Sequence, residues 1–456
     1  MIRNRCENFG DGLCEESRNI KVLEEYLQAH GLATVSHARL ERPTRPNLIS
    51  SIGCGSPRVM LGPGHVDVVP VSPDDPAQVP PVYSGWDEDP WSGNVRNGEL
   101  YGRGAVDMLS TVAAMAVTFV HVKESGIKLK GTLLFCAVSD EEQGSEDGAK
   151  FILSDPGLMK LFAADYCITE LGGPSIPDFK MRPTLTFFQS TAEKGTSLVE
   201  VTLRGRAGHG SVPKAADNAL VRASEVVQRI ARYQAPTVIT PGKSDQWRAF
   251  VEALQLPRPL GFLLTFQPLL PFVLAFLLKT GSPLGPVAHA STRLTLSPNA
   301  LTGGVKGNVV PGACTVTVDC RSLPGQDEQY VLEHVRRALG PKICGDPEHC
   351  GIRFRSFTAA TRSEPNTPLW HAMEKAAASI IDGATIVPVM LPGGTDCRFY
   401  RGLGGAVAYG GNLLEPSLTF GDLTERFHGT NERLGLRSLW TSVQFYSLMV
   451  KNLMTE

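Results

Sequence analysis

The chain of 456 residues is long enough for two or more domains, each with its own apolar core. A net charge of −2 and a pI of about 6.6 exclude the basic face that nucleic acids and anionic membranes require, so we expect neither as a partner. Ten scattered cysteines without a Cys-x-x-Cys pair exclude a zinc ribbon, a thioredoxin-like motif and a disulfide scaffold. The opening stretch MIRNRCENFGDG lacks the apolar core of a secretory signal, and we expect free thiols in the cytoplasm.

Three short apolar runs follow an amphipathic helix and predict buried strands. The helix is predicted over residues 16–30, where Ile20, Leu23 and Leu27 share one face. The strands are predicted over residues 58–61, 132–138 and 166–169, and each is apolar on both faces, as parallel strands covered by helices are. Between the first two, a glycine turn precedes a helical pattern that starts near Asp107. The predicted fold class is α/β, with a mixed, mostly parallel central sheet and helices on both faces.

The pattern changes at about Glu193, where polar and apolar residues begin to alternate as in half-exposed strands. The elements that follow are predicted over residues 195–211, 216–233, 290–296, 314–320, 328–339 and 352–357. Their order is strand, helix, strand, strand, helix and strand, which is typical of a ferredoxin-like unit. We therefore predict an inserted α+β lid or dimerisation domain over residues 193–358, between two parts of a catalytic domain, 1–192 and 359–456. The last part should carry a helix over 369–381, a strand over 385–390 and a final helix from about Asn431.

One apolar stretch, LGFLLTFQPLLPFVLAFLLKTG over residues 260–281, resembles a membrane segment. Its longest apolar run, Leu269–Leu278, is too short to span a bilayer and contains a proline. We interpret it as a buried or dimer-facing helix, and a lipid-facing or acyl-binding surface is the alternative.

Polar side chains stand where the predicted strands end, which is where open α/β sheets bind their ligands. His65 and Asp67 follow the first strand, residues 140–142 the second, and Glu170 the third. Each has an ordinary explanation when taken alone, such as a structural histidine, a solvated acidic pair, or a helix N-cap at Asp107. Taken together, imidazoles and carboxylates without a nearby cysteine indicate a hydrolytic zinc site.

The spacing of these residues suggests separate tasks. Asp67 lies two residues after His65 in an extended chain, so it can accept the second ring N–H of His65 and fix its tautomer. Glu141 and Glu142 are adjacent and their side chains diverge, so one can bind metal while the other acts as a general base. A site with two metals needs one ligand that bridges them, and Asp107 is the obvious candidate.

The motifs of the chain resemble those of a known family of di-zinc metallopeptidases and amidohydrolases. This family includes aminoacylases, acetylornithine deacetylase, succinyl-diaminopimelate desuccinylase and carboxypeptidases. The matching stretches run in the family's order from about residue 60 to 435 and are GHVDVVP, WSGNVRNGELYGRGAVDM, DEEQGS, GRAGHGS, NVVPGACTVTVDCRSLPG, GGTDCRFYRG and RFHGTNERL. The resemblance therefore covers most of the chain and implies the family's fold and a hydrolytic activity.

The resemblance also implies roles for individual residues. One zinc would be held by His65 and Glu170, the other by Glu142 and His428, with Asp107 bridging them and Glu141 as general base. It further implies a cis peptide bond between Asp107 and Met108. His209 would stabilise the oxyanion, reaching the active site of the other subunit in a homodimer formed through the inserted domain. Asn308, Arg321 and Arg398 are expected to hold the substrate carboxylate, although Arg321 could instead pair with Asp319.

The sequence therefore predicts zinc-dependent hydrolysis of an amide or peptide bond next to a free carboxylate, through a zinc-bridging hydroxide and a general-base glutamate. Two Zn²⁺ per chain are expected, and Co²⁺ or Mn²⁺ suit the same ligands. N-acyl amino acids and short peptides are both open as substrates. Residues 109–110 are Leu-Ser where many relatives have Lys-Gly, which suggests a subfamily. The long WSGNVRNGELYGRGAVD stretch and the ending RFHGTNER most resemble the carboxypeptidase-S-like and N-acyl-amino-acid hydrolase branch. The alternative is a metal-binding member without catalysis; no G-x-S-x-G elbow supports a serine hydrolase.

Overall fold

A computed structural model describes residues 1–74, 81–175, 185–239, 246–254, 256–281 and 284–455. Its strands, in chain order from β1 to β19, are Thr34–His37, Asn47–Cys54, Arg58–His65, Val95–Arg96, Glu99–Tyr101, Gly131–Val138, Tyr166–Thr169, Gly172–Ser175, Thr186–Glu193, Gly195–Arg204, Gly208–His209, Thr295–Gly303, Val309–Val310, Ala313–Ser322, Cys350–Thr358, Thr361–Arg362, Thr385–Leu391, Val407–Gly410 and Arg433–Gly435.

Its α-helices, in chain order from α1 to α15, are Ser17–Ala29, Leu109–Glu124, Ala149–Ser154, Pro156–Phe162, Ala219–Arg232, Gln246–Ala253, Arg258–Thr265, Leu270–Lys279, Leu284–Ser291, Glu328–Leu339, Pro341–Cys344, Pro368–Ile380, Cys397–Gly402, Phe420–Arg426 and Leu436–Met454. The chain divides into two compact units. The first contains residues 1–191, 363–389 and 395–456, and the second contains residues 192–362 and 390–394.

The first unit is built on a mixed sheet with the strand order β1-β2-β6-β3-β7-β18-β9, and β8 and β17 also pair with β9. Strands β6, β3, β7 and β18 run parallel to one another in the middle of the sheet. The central strand β6 is buried along its whole length. Alternate residues of this strand face opposite sides of the sheet. Leu133 and Phe135 therefore enter one apolar core, and Leu134 and Cys136 enter another.

Helices cover both faces of this sheet. The larger core contains apolar side chains of α1, α2, α12 and α15, whereas the other contains those of α3, α4 and α13. A sheet buried on both sides needs apolar residues on both faces of its strands, which explains the continuous apolar runs of β3, β6 and β7. The predicted α/β class with a mostly parallel sheet is confirmed. The ten cysteines all lie in the described residues and are free thiols, and six of them are buried together with apolar residues in these cores or in that of the second unit.

The second unit contains an antiparallel sheet in the order β12-β14-β10-β15. Every second residue of β10 and β14 is buried, and the apolar ones pack with the apolar faces of α5 and α10. The order β10, α5, β12, β14, α10, β15 is the split βαβ order of a ferredoxin-like unit. Helices α6 to α9 are inserted between α5 and β12.

Two predicted elements differ from the structure. The strand predicted over residues 290–296 is wrong in its first half, because α9 runs to Ser291 and β12 begins only at Thr295. The final helix begins at Leu436 rather than near Asn431, because residues 433–435 form β19 and pair with β5. The predicted boundaries at 193 and 358 lie close to the limits of the second unit, which also includes residues 390–394.

The apolar stretch of residues 260–281 forms helices α7 and α8. Among the described residues, no single helix has both the length and the hydropathy to cross a membrane; α7 and α8 meet these criteria together, but they are bent by 103°. Leu264, Leu270 and Leu274 are buried, whereas Phe272 and Phe276 are 73% and 65% exposed. The outer face of this segment is therefore exposed in the single chain, so the interpretation as a buried helix is wrong there, and the dimer-facing interpretation stays a prediction.

Candidate active site

The candidate site lies in the first unit, at the carboxyl ends of the parallel strands. Strand β3 ends at His65, β7 ends one residue before Glu170, and β6 ends shortly before Glu141 and Glu142. Because β6, β3 and β7 are neighbours and run parallel, these side chains emerge at the same edge of the sheet. Strand β18 packs closely behind this edge, since a Cβ atom at Gly410 would lie 2.1 Å from the Glu170 carbonyl oxygen.

Asp107 lies between two imidazoles. Its Oδ1 is 2.9 Å from Nε2 of His65, and its Oδ2 is 2.8 Å from Nε2 of His428. Glu170 Oε2 is 3.6 Å from the same nitrogen of His65, and Glu142 Oε1 is 3.4 Å from that of His428. The Asp107–Met108 peptide bond is cis, as the family resemblance implies. Two histidines and three carboxylates from distant parts of the chain thus converge on one small volume.

Two groups of side chains offer ligand atoms within 4.8 Å of one another. The first contains His65, Glu141 and Glu170, and the second contains His65, Asp107 and Glu142. His428 contacts the second group through Asp107 and Glu142. All five side chains predicted as metal ligands are therefore brought together, and Glu141 stands among them.

Asp67 holds the two glutamates as well as His65. Its carboxylate accepts hydrogen bonds from the backbone N–H groups of Glu141 and Glu142, each at 3.2 Å, and from the Asn8 side chain at 2.8 Å. Nδ1 of His65 lies 3.0 Å from the backbone oxygen of Asp67 and 3.4 Å from its carboxylate. Nδ1 of His65 is thus closer to the Asp67 carbonyl than to the Asp67 carboxylate, which is the acceptor predicted from the sequence. The carboxylate is instead directed at the backbone of Glu141 and Glu142.

Glu432 is a further buried carboxylate, and the sequence did not reveal its role. It accepts hydrogen bonds from the backbone N–H groups of Gly104, Val106 and Asp107 at 3.0, 2.7 and 3.1 Å, and from the Arg103 guanidinium at 2.7 Å. It thereby fixes the loop that presents Asp107. A glutamate among polar residues is usually solvated, so its local sequence did not mark Glu432 as buried. Only its place inside the motif RFHGTNERL could have indicated a role in the site.

Burial dominates the electrostatics of this site. It raises the pKa of Glu141 and of Glu170 well above the usual range of a carboxyl, and the neighbouring carboxylates add to the rise. Burial opposes protonation of His428, but contacts with Asp107 and Glu142 outweigh it and raise the pKa of His428 to about 10. These shifts reflect the crowding of buried carboxylates in one small volume, which a bound cation would relieve. Oε1 of Glu142 is also buried without a hydrogen-bond donor.

The predicted substrate-binding residues fall in both units. In the first unit, Nη2 of Arg398 is 3.5 Å from Oε1 of Glu141. In the second unit, β11 and β13 pair His209 with Val309, and the Gly210 N–H donates to the Asn308 carbonyl, so the loops of His209 and Asn308 adjoin. His209 is exposed and its Nδ1 lies 2.7 Å from the Ser211 hydroxyl.

Arg321, also in the second unit, is held by Asp319 and Thr196. Its Nε and Nη2 donate to the Asp319 carboxylate at 2.7 and 3.0 Å, and Nη1 donates to the Thr196 hydroxyl at 3.0 Å. The pairing with Asp319 that the sequence left open is thus present. A guanidinium engaged on three nitrogens has less capacity for a substrate carboxylate than that of Arg398.

Asp396 is another acidic residue near this site that the sequence analysis did not single out. It is buried, and burial raises its pKa to about 6. One of its oxygens accepts a hydrogen bond from Ser145, which follows the Glu141–Gln143 turn. Its position in GGTDCRFYRG, two residues before Arg398, was the available signal.

Comparisons with known proteins give a consistent result. The profile of "Peptidase family M20/M25/M40" matches residues 63–452. The chain is 25% identical to N-fatty-acyl-amino acid synthase/hydrolase PM20D1 of Xenopus tropicalis over 86% of this chain and 72% of the relative. It is 23% identical to Probable carboxypeptidase S-like 2 of Dictyostelium discoideum over 94% of this chain and 79% of the relative. Among solved structures, the M20 family metallo-carboxypeptidase Sso-CP2 from Sulfolobus solfataricus aligns with a TM-score of 0.70 at 18% identity, covering 99% of this chain and 97% of that one.

Proposed function

This chain belongs to peptidase family M20/M25/M40, and we propose that it hydrolyses an amide or peptide bond adjacent to a free carboxylate. Membership makes it a hydrolase rather than the non-catalytic binding protein considered from the sequence. The observation that carries the proposal is Asp107, whose two oxygens lie 2.9 and 2.8 Å from the Nε2 atoms of His65 and His428 among buried glutamates.

The donor set fits divalent metal. Carboxylates outnumber imidazoles in the cluster, and Glu142 Oε1 is buried without a donor, so a cation would relieve the excess negative charge. We propose that His65 and Glu170 would hold one Zn²⁺ and that Glu142 and His428 would hold a second, with Asp107 as a ligand common to both. Nitrogen and oxygen ligands suit Zn²⁺, and Co²⁺ or Mn²⁺ are the alternatives. Bound metal would supply a Lewis acid for the scissile carbonyl and lower the pKa of water.

Proton transfer belongs to Glu141 in this proposal. Burial raises the pKa of its carboxyl, so this group can accept a proton from the attacking water and return it to the nitrogen of the leaving amine. Asp67 positions the Glu141 backbone through the hydrogen bond at 3.2 Å. The surroundings of the two glutamates agree with a metal-binding role for Glu142 and a proton-transfer role for Glu141. Glu142 faces His428, whereas Glu141 faces Arg398.

The substrate carboxylate requires cationic or amide donors. We propose that Arg398 and Asn308 supply them, with a smaller contribution from Arg321, and that His209 stabilises the oxyanion across a homodimer formed through the second unit. N-acyl amino acids are the substrate class that we favour, supported by the relative named as an N-fatty-acyl-amino acid synthase/hydrolase. Short peptides are the alternative, supported by the carboxypeptidase S-like relative.

The test compares wild type with Glu141→Gln on a panel of N-acyl amino acids and dipeptides, with metal measured by elemental analysis. We expect metal in both proteins, and a kcat that falls about 10²–10⁴-fold in the variant, as is usual on removing a general base. Release of a free amino acid by wild type, abolished by a chelator, completes the expected result. Equal turnover by the two proteins would contradict the role of Glu141, and a wild type without metal would contradict the metal site.

A further inference from the structure

Helices α7 and α8 form an exposed apolar hairpin in the second unit, which we call the 258–279 hairpin. The large apolar side chains on its surface are Phe262, Leu263, Phe266, Leu269, Phe272, Phe276 and Leu278, and each is more than a third exposed. The rings of Phe262 and Phe266 stack with centroids 4.9 Å apart, so these two side chains form one apolar surface. Water solvates such a surface poorly, and a contiguous patch of this kind usually marks an interaction site.

Helix α8 is apolar on both of its sides. Leu270 and Leu274, one turn apart, face inward and are buried, while Phe272 and Phe276, also one turn apart, face outward. The outward side also carries Ala275, which is exposed. A helix that packs on a protein and faces water has polar residues on its outer side, whereas a helix that is apolar all round is covered on all sides. The outer side of α8 therefore has the composition of a covered surface.

Each of the two uncharged polar side chains of the hairpin donates a hydrogen bond to a backbone carbonyl. The Thr265 hydroxyl donates to the Gly261 carbonyl at 2.8 Å, and the Gln267 amide donates to the Thr237 carbonyl at 3.3 Å. A typical protein interface contains about one hydrogen bond per 100–200 Å², whereas an acyl layer requires none. This distribution favours lipid over a protein surface as the occupant.

The charged residues of the hairpin itself are all cationic. Arg258 and Lys279 are exposed at its two ends, and residues 253–318 contain no Asp or Glu. Two copies docked through this face would bring together cations without a carboxylate from this part of the chain to pair them. Lipid phosphates and anionic headgroups would pair with both cations while the phenylalanines contact the acyl chains.

We propose that the 258–279 hairpin docks the protein on the surface of an anionic lipid membrane. Helices α7 and α8 contain 8 and 10 residues, respectively. Their lengths of about 12 and 15 Å are too short to cross a hydrocarbon core of about 30 Å, so they lie in the interface plane. The phenylalanines enter the boundary between headgroups and acyl chains, and Arg258 and Lys279 stay at headgroup level. This replaces the expectation, drawn from net charge alone, that the chain has no membrane partner, because the relevant charge is local.

The experiment is flotation of the full chain with vesicles of phosphatidylcholine, with or without phosphatidylserine. Wild type should float with the anionic vesicles. The double variant Phe272→Ser/Phe276→Ser should partition about tenfold or more weakly, because two apolar rings no longer leave water. Val221→Ser is the matched control, since Val221 is 65% exposed on α5 of the same unit; it should float like wild type. Hydrolysis of the amide substrates by each variant verifies that it is folded.

A second pair of variants tests the electrostatic part. Arg258→Gln/Lys279→Gln should weaken partition into anionic vesicles about tenfold, leave partition into neutral vesicles unchanged, and reduce the effect of added salt. Phe272→Trp should float normally, and brominated acyl chains should quench its fluorescence beyond that of the native tryptophans. The proposal would be overturned if the wild type floated neither with the neutral nor with the anionic vesicles. If light scattering then shows that Phe272→Ser/Phe276→Ser converts a dimer to a monomer, the face belongs to a second copy of the chain.

Discussion

Replacing Glu432 by glutamine tests how the loop that carries Asp107 is held. The carboxylate accepts four hydrogen bonds, from Arg103, Gly104, Val106 and Asp107, and it is fully buried. An amide keeps one oxygen, so about two of the four donors lose their acceptor and face an NH₂ group instead. Hydrogen bonds to a charged group contribute about 1.5–3 kcal/mol each, so the first unit should lose about 3–6 kcal/mol of unfolding free energy. The buried Arg103 would also lose its counter-charge, which acts in the same direction.

The assay is denaturant unfolding with and without chelator, together with metal content. Without the anchor, Asp107 should move relative to His65 and His428, and the variant should retain less metal than wild type at the same metal concentration. Glu425→Gln is the control, because Glu425 is exposed on the neighbouring α14. If Glu432→Gln matches this control in both stability and metal content, the loop that carries Asp107 is held by other contacts.

Two further predictions concern the remaining buried polar groups. Asp67→Asn should lower both kcat and metal content, because the amide can accept from only one of the two N–H groups that position Glu141 and Glu142; unchanged values of both would contradict this role. Burial lowers the pKa of Lys194 to about 7. The pKa of an unfolded lysine is about 10.4, so between pH 7 and 10 the unfolded chain binds more protons than the folded chain. The unfolding free energy of the second unit should therefore rise with pH over this range, by about 1.4 kcal/mol per pH unit at most. Lys194→Met should flatten this rise in thermal unfolding measured at pH 7 and 9.5, and an unchanged slope would contradict the assignment.

Local patterns were sufficient where one element decides its own structure. The helix predicted over residues 328–339 and the strand over 166–169 match α10 and β7, because periodicity and flanking turns specify them. The convergence of His65, Glu141 and Glu170 followed from a general rule on the carboxyl ends of parallel strands. These predictions needed no knowledge of long-range contacts.

Other features depend on contacts between distant residues and leave no periodic signal. Glu432 and Asp107 are separated by 325 positions, and Asn8 reaches Asp67 across 59. Residues 290–296 alternate in hydropathy, yet the first two belong to α9, because tertiary packing overrides a short pattern. Composition also could not predict that the 258–279 hairpin is exposed, because an apolar sequence does not reveal which of its sides is covered.

Because of these long-range contacts, the two units can complete their folding at different stages of synthesis. Residues 192–362 form most of a compact unit from one continuous stretch, so this unit can fold while the ribosome is still extending the chain. The first unit cannot complete the cluster around Asp107 until His428 and Glu432 have emerged, and its larger core also requires Phe445 and Met449 of α15. A nascent chain therefore passes through a stage in which His65, Asp107 and Glu170 have been made but lack their last partners. Translational stalling between residues 362 and 428 would leave this incomplete acidic cluster and an uncovered core open to chaperones and proteases.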